Sequence, residues 1–426
     1  MKKKMFFTAF VFAISLSFMS LPLVGQTTDH ETVFFDFLKS EYNKKNNKLQ
    51  GYLIEEFNLY AELYPYGENT AEALLLAGRL CDTKNDRQAA LAYYAKCALL
   101  FPESESRGQS VTLATVIIEK EKNYEGMRVD LKTRIQEETV GKSMPEKYFS
   151  FLEFLSTLND KKAAERALAE FRYFERNFPE NEHLDQVLNW MGGVYQQAKM
   201  PDQAVASYTK IEALYPRSDF IPEIRYKKGV VLYQDLNEPQ QAVAVLDKVL
   251  SESMGSQYIA PSLYTMGEIK YKKLKDHRSA DAALRQMVDN YPTHDHAVDA
   301  LFLMAEVREK GLKDNTAAIA AYDEVVENYS ENSRGVEALD NAANIMKNKN
   351  KDYAGAAAYY ARIAERFPAY EKSPDKLMEA GKLCEDKLKD AQKAIDYYEM
   401  VVEKYPGHKK AQEANKRIMK VRDKTK

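Results

Sequence analysis

Apolar residues return along this chain in paired stripes. Between Asp185 and Pro216, Leu188, Met191, Gly192 and Tyr195 stand at i, i+3, i+4 and i+7, one face of a helix. Lys199-Met200-Pro201-Asp202 reads as a turn, with proline placed to open the next helix. Ala204, Tyr208 and Ile211 form a second stripe. Tyr215 closes it, and Pro216 stops it because proline has no amide for a continuing helix. Gly192 and Ala204 are small, as two closely approaching antiparallel helices require. The pattern predicts a helical hairpin. It recurs as Leu74, Gly78, Ala90, Tyr94 and Pro102, and again as Leu377, Gly381, Ala394, Tyr398 and Pro406.

The hairpin repeats along the chain. Aromatic-proline pairs occur at Tyr64-Pro65, Phe101-Pro102, Phe178-Pro179, Tyr215-Pro216, Tyr291-Pro292, Phe367-Pro368 and Tyr405-Pro406. Adjacent pairs lie 37 or 38 residues apart, and the wider gaps of 76 or 77 each hold one degenerate copy. Those copies end near Val140, near Met254 and at Tyr329-Ser330, so ten copies run from about residue 31 to 406. The copy at 108–140 is the poorest, with Lys132 in place of the second-helix aromatic and Arg128 in place of Ala. It is expected to bend or loosen the stack. Residues 407–426 carry eight Lys/Arg against two Asp/Glu, with Ala411, Ala414, Ile418 and Val421 on one face, which predicts a basic capping helix.

This grammar of a large residue, Leu, Gly or Ala and an aromatic, then Ala, an aromatic, a small residue and Pro, resembles the tetratricopeptide repeat family. The resemblance implies an all-α, right-handed superhelical solenoid of about ten helix-turn-helix repeats, with a concave groove lined mainly by first helices. Hairpins that cannot bury their own apolar faces bury them against neighbours, and the resulting surface suits recognition. The 37–38-residue wording looks like that of periplasmic and outer-membrane-associated bacterial proteins, including assembly lipoproteins and cell-division coordinators. The lipid-attachment cysteine of the former and the trimerising coiled coil of the latter have no counterpart here, so the resemblance carries a fold and a role class rather than a named partner.

A length of 426 residues exceeds what one compact core usually holds, in keeping with repeats. With only 17 Gly and 14 Pro, collagen-like and disordered readings are excluded. Residues 1–25 read as a secretory signal peptide. Lys2, Lys3 and Lys4 precede an apolar run from Met5 to Met19, and Gly25 offers a cleavage point before Gln26. An uncleaved N-terminal anchor is the alternative. Residues 26–406 then form the solenoid and 407–426 the cap. No later stretch is apolar enough to span a membrane. Loss of the leader takes the formal charge from −3 to −6, which gives nucleic-acid binding no support. The export reading places the protein in the periplasm, peripheral to the outer membrane. Three cysteines are an odd number for an oxidising compartment, and Cys81, Cys97 and Cys384 all fall at small core positions, favouring free thiols over a Cys81–Cys97 bridge.

No phosphate loop, nucleophile elbow or zinc-protease histidine pair is present, so no catalytic, cofactor or metal residues are assigned. His294-Asp295-His296 has metal-ligand chemistry but lacks a fourth ligand, and reads as a polar turn between repeats. The expected role is a non-catalytic scaffold that binds another protein. An envelope glycan (peptidoglycan or exported polysaccharide) as ligand, or service as a non-catalytic subunit of an enzyme complex, are the alternatives. Candidate contacts follow from aligning Gly192, Gly229, Gly267, Ala305 and Ala343. Three residues earlier, Tyr226, Tyr264 and Phe302 form one row; four residues later, Tyr233 and Tyr271 form another. Stacked copies would turn these into an aromatic ladder, unless the rings pack between helices. Lys416 and Arg417 on the cap are candidates for an acidic partner.

Overall fold

The computed structural model describes residues 30–158, 161–329 and 332–424. The predicted leader therefore lies outside the described residues. So does Ser330, half of the degenerate Tyr329-Ser330 pair. Among the described residues the chain forms 21 α-helices and no strand: ten pairs in chain order and a final helix. It divides between Lys199 and Met200 into two compact units.

The first unit comprises α1 (His30–Asn43), α2 (Gln50–Leu63), α3 (Thr70–Thr83), α4 (Arg87–Leu100), α5 (Ser106–Lys120), α6 (Arg128–Ile135), α7 (Met144–Thr157), α8 (Lys161–Asn177) and α9 (Leu184–Gln197). The hairpin of α3 and α4 buries Leu74, Gly78, Ala90 and Tyr94. The approach at Gly78 is close enough that a Cβ there would stand 2.4 Å from Cε1 of Tyr94. Asn85 turns the hairpin in the left-handed region (φ 58°). The Asp86 amide then returns to the Cys81 carbonyl (2.9 Å), a Schellman closure.

The second unit comprises α10 (Pro201–Leu214), α11 (Ile221–Gln234), α12 (Pro239–Glu252), α13 (Ile259–Ile269), α14 (His277–Asn290), α15 (Ala297–Glu306), α16 (Asn315–Asn328), α17 (Gly335–Ile345), α18 (Tyr353–Arg366), α19 (Ser373–Leu383), α20 (Ala391–Lys404) and α21 (Lys409–Lys424). Here the extra residue of a 38-residue copy becomes visible. Helices α13, α15, α17 and α19 each widen at their C-termini into a π-helical turn, the first of them Lys270–Leu274. Closure is one residue wider than in α3: the Asp276 amide reaches back to the Lys270 carbonyl (2.9 Å), and Asp314, Asp352 and Asp390 do the same to Arg308, Met346 and Cys384. Lys275, Lys313, Lys351 and Lys389 hold the left-handed position (φ 56–61°) in every one of these turns. The aspartate that follows caps the second helix, accepting from the amides of Ser279, Ala317, Gly355 and Lys393 at 2.8–3.2 Å.

The poor copy interrupts the regular packing of hairpin on hairpin. Its second helix, α6, has only 8 residues and follows a 3₁₀ segment at Lys122–Met127. With so little helix interposed, α4 packs against α7 and α8 as well as against α5. Thr139, past the short helix, donates its hydroxyl to the Leu99 carbonyl (2.7 Å) and ties the returning chain to α4.

Helix α21 closes the second unit, burying Ala411, Ala414, Ile418 and Val421 as expected. Cys81, Cys97 and Cys384 are all buried and unbridged. Burial raises all three thiols, Cys97 to about 11, and its Sγ donates to the Ala71 carbonyl (3.3 Å). Among the described residues no helix is long and apolar enough to cross a membrane.

Candidate partner-binding groove

In the second unit, the first helices α13, α15 and α17 line an open groove of about 520 Å³. Tyr264, Phe302 and Tyr322 supply its rings, Asp299, Glu306, Glu309 and Glu337 its carboxylates, and Asn341, Asn344 and Asn348 a row of amides. The asparagines fall at i, i+3 and i+7, one face of α17 continued into its π turn.

Tyr226, Tyr264 and Phe302 do not stack on one another; each ring meets a residue of the following copy. Tyr226 lies 5.8 Å from the ring of Tyr258. Tyr264 stacks on His296 at 5.0 Å and 12°. The Phe302 ring carries the Arg334 guanidinium 3.7 Å above its centroid and meets the edge of Tyr322 at 5.4 Å. Each covering residue comes 32 positions later and immediately precedes the next first helix. Tyr258 and Arg334 were not singled out from the sequence, and His296 was read only as part of a polar turn, although the 38-residue spacing of the three was a usable signal. They sit in turns, and a search for apolar stripes passes over turns. The His294-Asp295-His296 segment is such a turn, His296 being the cap position of α15.

Charges in the groove are arranged in pairs. Arg334 donates to Asp299 and to Glu337 (3.0 Å), Lys310 to Glu306 (2.9 Å), and Lys349 lies 3.8 Å from Glu309. The Tyr271 hydroxyl also donates to Glu306 (3.3 Å). Burial first, then nearby carboxylates, raise the hydroxyls of Tyr264 and Tyr271, and push Tyr322 up to about 12. All three are therefore hydrogen-bond donors at neutral pH.

Two candidates change role. Tyr233 is only 9% exposed and packs in a core cluster with Leu232, Ala242, Leu246, Met266 and Ile269. It lies on the expected row, but the next copy covers it, so it is a packing residue. Arg417 donates to Glu385 (2.8 Å), whose side chain is 10% exposed, and so anchors α21 to the π turn of α19. Lys416 remains exposed on the cap, and Tyr226, Tyr264, Tyr271 and Phe302 are half-buried.

Models of the tetratricopeptide repeat match residues 71–104, 262–294, 299–332, 337–370 and 378–408. The chain is a tetratricopeptide repeat protein. The last four matches cover the copies that build the groove and those that follow it. Among solved structures, it is similar to the C-terminal part of a tetratricopeptide repeat-containing protein from Cytophaga hutchinsonii, at 16% identity over 62% of this chain and 98% of that one, with a TM-score of 0.43. A tetratricopeptide repeat protein from Parabacteroides merdae is 16% identical over 65% of this chain and 96% of its own, with a TM-score of 0.37. YrrB, described as a tetratricopeptide protein with an unusual peptide-binding site, is 19% identical over 50% of this chain and 99% of its own, with a TM-score of 0.31. No curated protein matches the chain.

Proposed function

We propose that this tetratricopeptide repeat protein is a non-catalytic scaffold of the bacterial cell envelope, exported to the periplasm, where it holds an extended segment of another protein in the groove of α13, α15 and α17. The observation that carries this reading is the composition of that groove. Half-buried rings alternate with a row of Asn341, Asn344 and Asn348 amides, each able both to donate to and to accept from a peptide backbone. Its carboxylates are already paired to Arg334, Lys310 and Lys349, so an entering neutral segment meets no bare charge. The export half of the reading is supported by the basic and apolar leader of residues 1–25.

A photo-crosslinking residue at Asn348, exposed in the groove, tests the binding half, with the same residue at Lys404 on α20 as the control. Crosslinking in intact cells should give one defined protein adduct from 348 and none from 404. Adducts from both positions alike, or retention on isolated sacculi in place of a protein adduct, would overturn it. Intact mass of the natural protein should show a chain beginning near Gln26; retention of Met1 would remove the export claim.

A further inference from the structure

The interrupted packing of the first unit leaves a second concavity that owes nothing to the first-helix rows. Because α4 packs on α7 and α8, the ends of α2 and α4 and the face of α8 enclose a cradle of about 890 Å³. That is the size of sites that hold several side chains of a ligand. Its floor is apolar, including Leu74, Leu100 and Met191, all buried. Its wall is aromatic: Tyr173 stacks on Tyr148 at 5.1 Å and 19°, and Tyr66 is 65% exposed at the rim.

The charges of this cradle divide into spent and unspent. Lys96 is spent, with Nζ donating to both oxygens of Glu170 (2.7 and 2.9 Å), which also accepts from the Tyr148 hydroxyl. Glu62 accepts from the Asn58 amide (2.6 Å), and Glu175 has a partner of its own. Arg172 and Arg176, one helical turn apart on α8, are exposed and have no carboxylate partner among the described residues. Arg172 is nonetheless held in place, since Nε and Nη2 both donate to the Tyr195 hydroxyl (3.2 and 3.1 Å). A positioned guanidinium with donors to spare suits a carboxylate.

We infer that this cradle is a second docking site, for an acidic peptide segment that places a large apolar side chain on the Leu74–Leu100–Met191 floor and its carboxylates on Arg172 and Arg176. The apolar depth favours a peptide over an acidic glycan, which would offer the floor nothing to bury. The site does not depend on the groove of the second unit.

The probe is a pool of fluorescein-labelled octapeptides with Glu or Asp at alternate positions and Phe, Leu or Met between them. It is titrated against the full chain by anisotropy, beside a matched pool with Lys in place of the acids. Specific binding of the acidic pool is expected, weakened at least tenfold in an Arg172→Glu/Arg176→Glu variant whose melting temperature is unchanged. A Lys404→Glu/Lys420→Glu variant, changed at exposed positions away from the cradle, should bind as the parent does. The proposal is overturned if the acidic pool fails to bind, if the Lys pool binds as tightly, or if the α8 double variant keeps its affinity. It is equally overturned if oligogalacturonate binds more tightly than any peptide, because the ligand would then be a glycan.

Discussion

Replacing Gly381 by leucine tests the register of the whole repeat. A Cβ at this position would lie 2.4 Å from Cε1 of Tyr398 and 2.7 and 2.9 Å from Cδ1 and Cζ, well inside van der Waals contact. The ring is fully buried and has no free side to swing toward. Its hydroxyl donates to Glu385 (3.0 Å), the carboxylate that also receives Arg417 from α21. A displaced ring therefore disturbs both the α19–α20 hairpin and the seating of the cap. Overpacking of this kind costs about 1–3 kcal/mol. The gain in helix propensity from Gly to Leu, somewhat under about 1 kcal/mol, offsets part of that. The net loss of about 1–2 kcal/mol corresponds to a fall in melting temperature of roughly 2–8 °C for a unit of this size. Gly381→Ala is the graded companion. Ala305 and Ala343 already stand opposite Tyr322 and Tyr360 at the equivalent positions, so a methyl group is tolerated once the ring has moved slightly, and the net change should be close to zero. Gly108→Ala in α5 is the control: nothing lies within 4 Å of its would-be Cβ, so the variant should gain up to about 1 kcal/mol. Calorimetry gives the melting temperatures, and amide exchange should show the Leu variant's loss concentrated in α19, α20 and α21. A Gly381→Leu protein that melts and exchanges like the parent would refute the close approach and, with it, the alignment of every copy.

Three further outcomes are expected. Tyr271→Ala should weaken partner binding with little change in melting temperature, whereas Tyr233→Ala should lower melting by several degrees; the reverse pattern would return Tyr233 to the groove. Lys313→Gly should raise stability by up to about 1 kcal/mol, because a left-handed backbone disfavours a residue with a Cβ; unchanged chemical denaturation would show that the Lys stem offsets the strain. Burial would raise Glu385, yet Arg417 and Tyr398 hold it below the usual carboxylate range, and Lys228 and Arg225 do the same for Glu212. Because these folded-state values are depressed, their stabilisation is complete above the ordinary carboxylate range and is lost as pH falls through the depressed values. Melting temperature should therefore drop on acidification, and Glu385→Gln should flatten that drop; an unaltered pH slope in the variant would discount the Glu385 contribution.

The part of this molecule written in the sequence is the part set by short-range periodicity. Leu377, Gly381, Ala394 and Tyr398 stand at helical spacings on either side of a turn, and local pattern alone places all four in one interface. The end of each first helix was not legible in the same way. Lysine is no signal for a left-handed turn, so nothing at Lys275, Lys313, Lys351 or Lys389 announced that the added residue of a 38-residue copy is absorbed as a π turn. That placement has a consequence for binding. The widened turn lies between one first helix and the next, and beyond the turns of α13 and α15 His296 and Arg334 arrive over Tyr264 and Phe302. The sequence showed the rings but not what covers them. A covering contact across 32 residues depends on how one copy sits on the next. The cradle of the first unit was further from view, since it depends on α4 meeting helices two copies away. Only the short, charged copy at 108–140 hinted that the regular stack is interrupted there. Poor repeats are where a periodic reading loses its footing, and in this chain the irregularity builds the larger cavity.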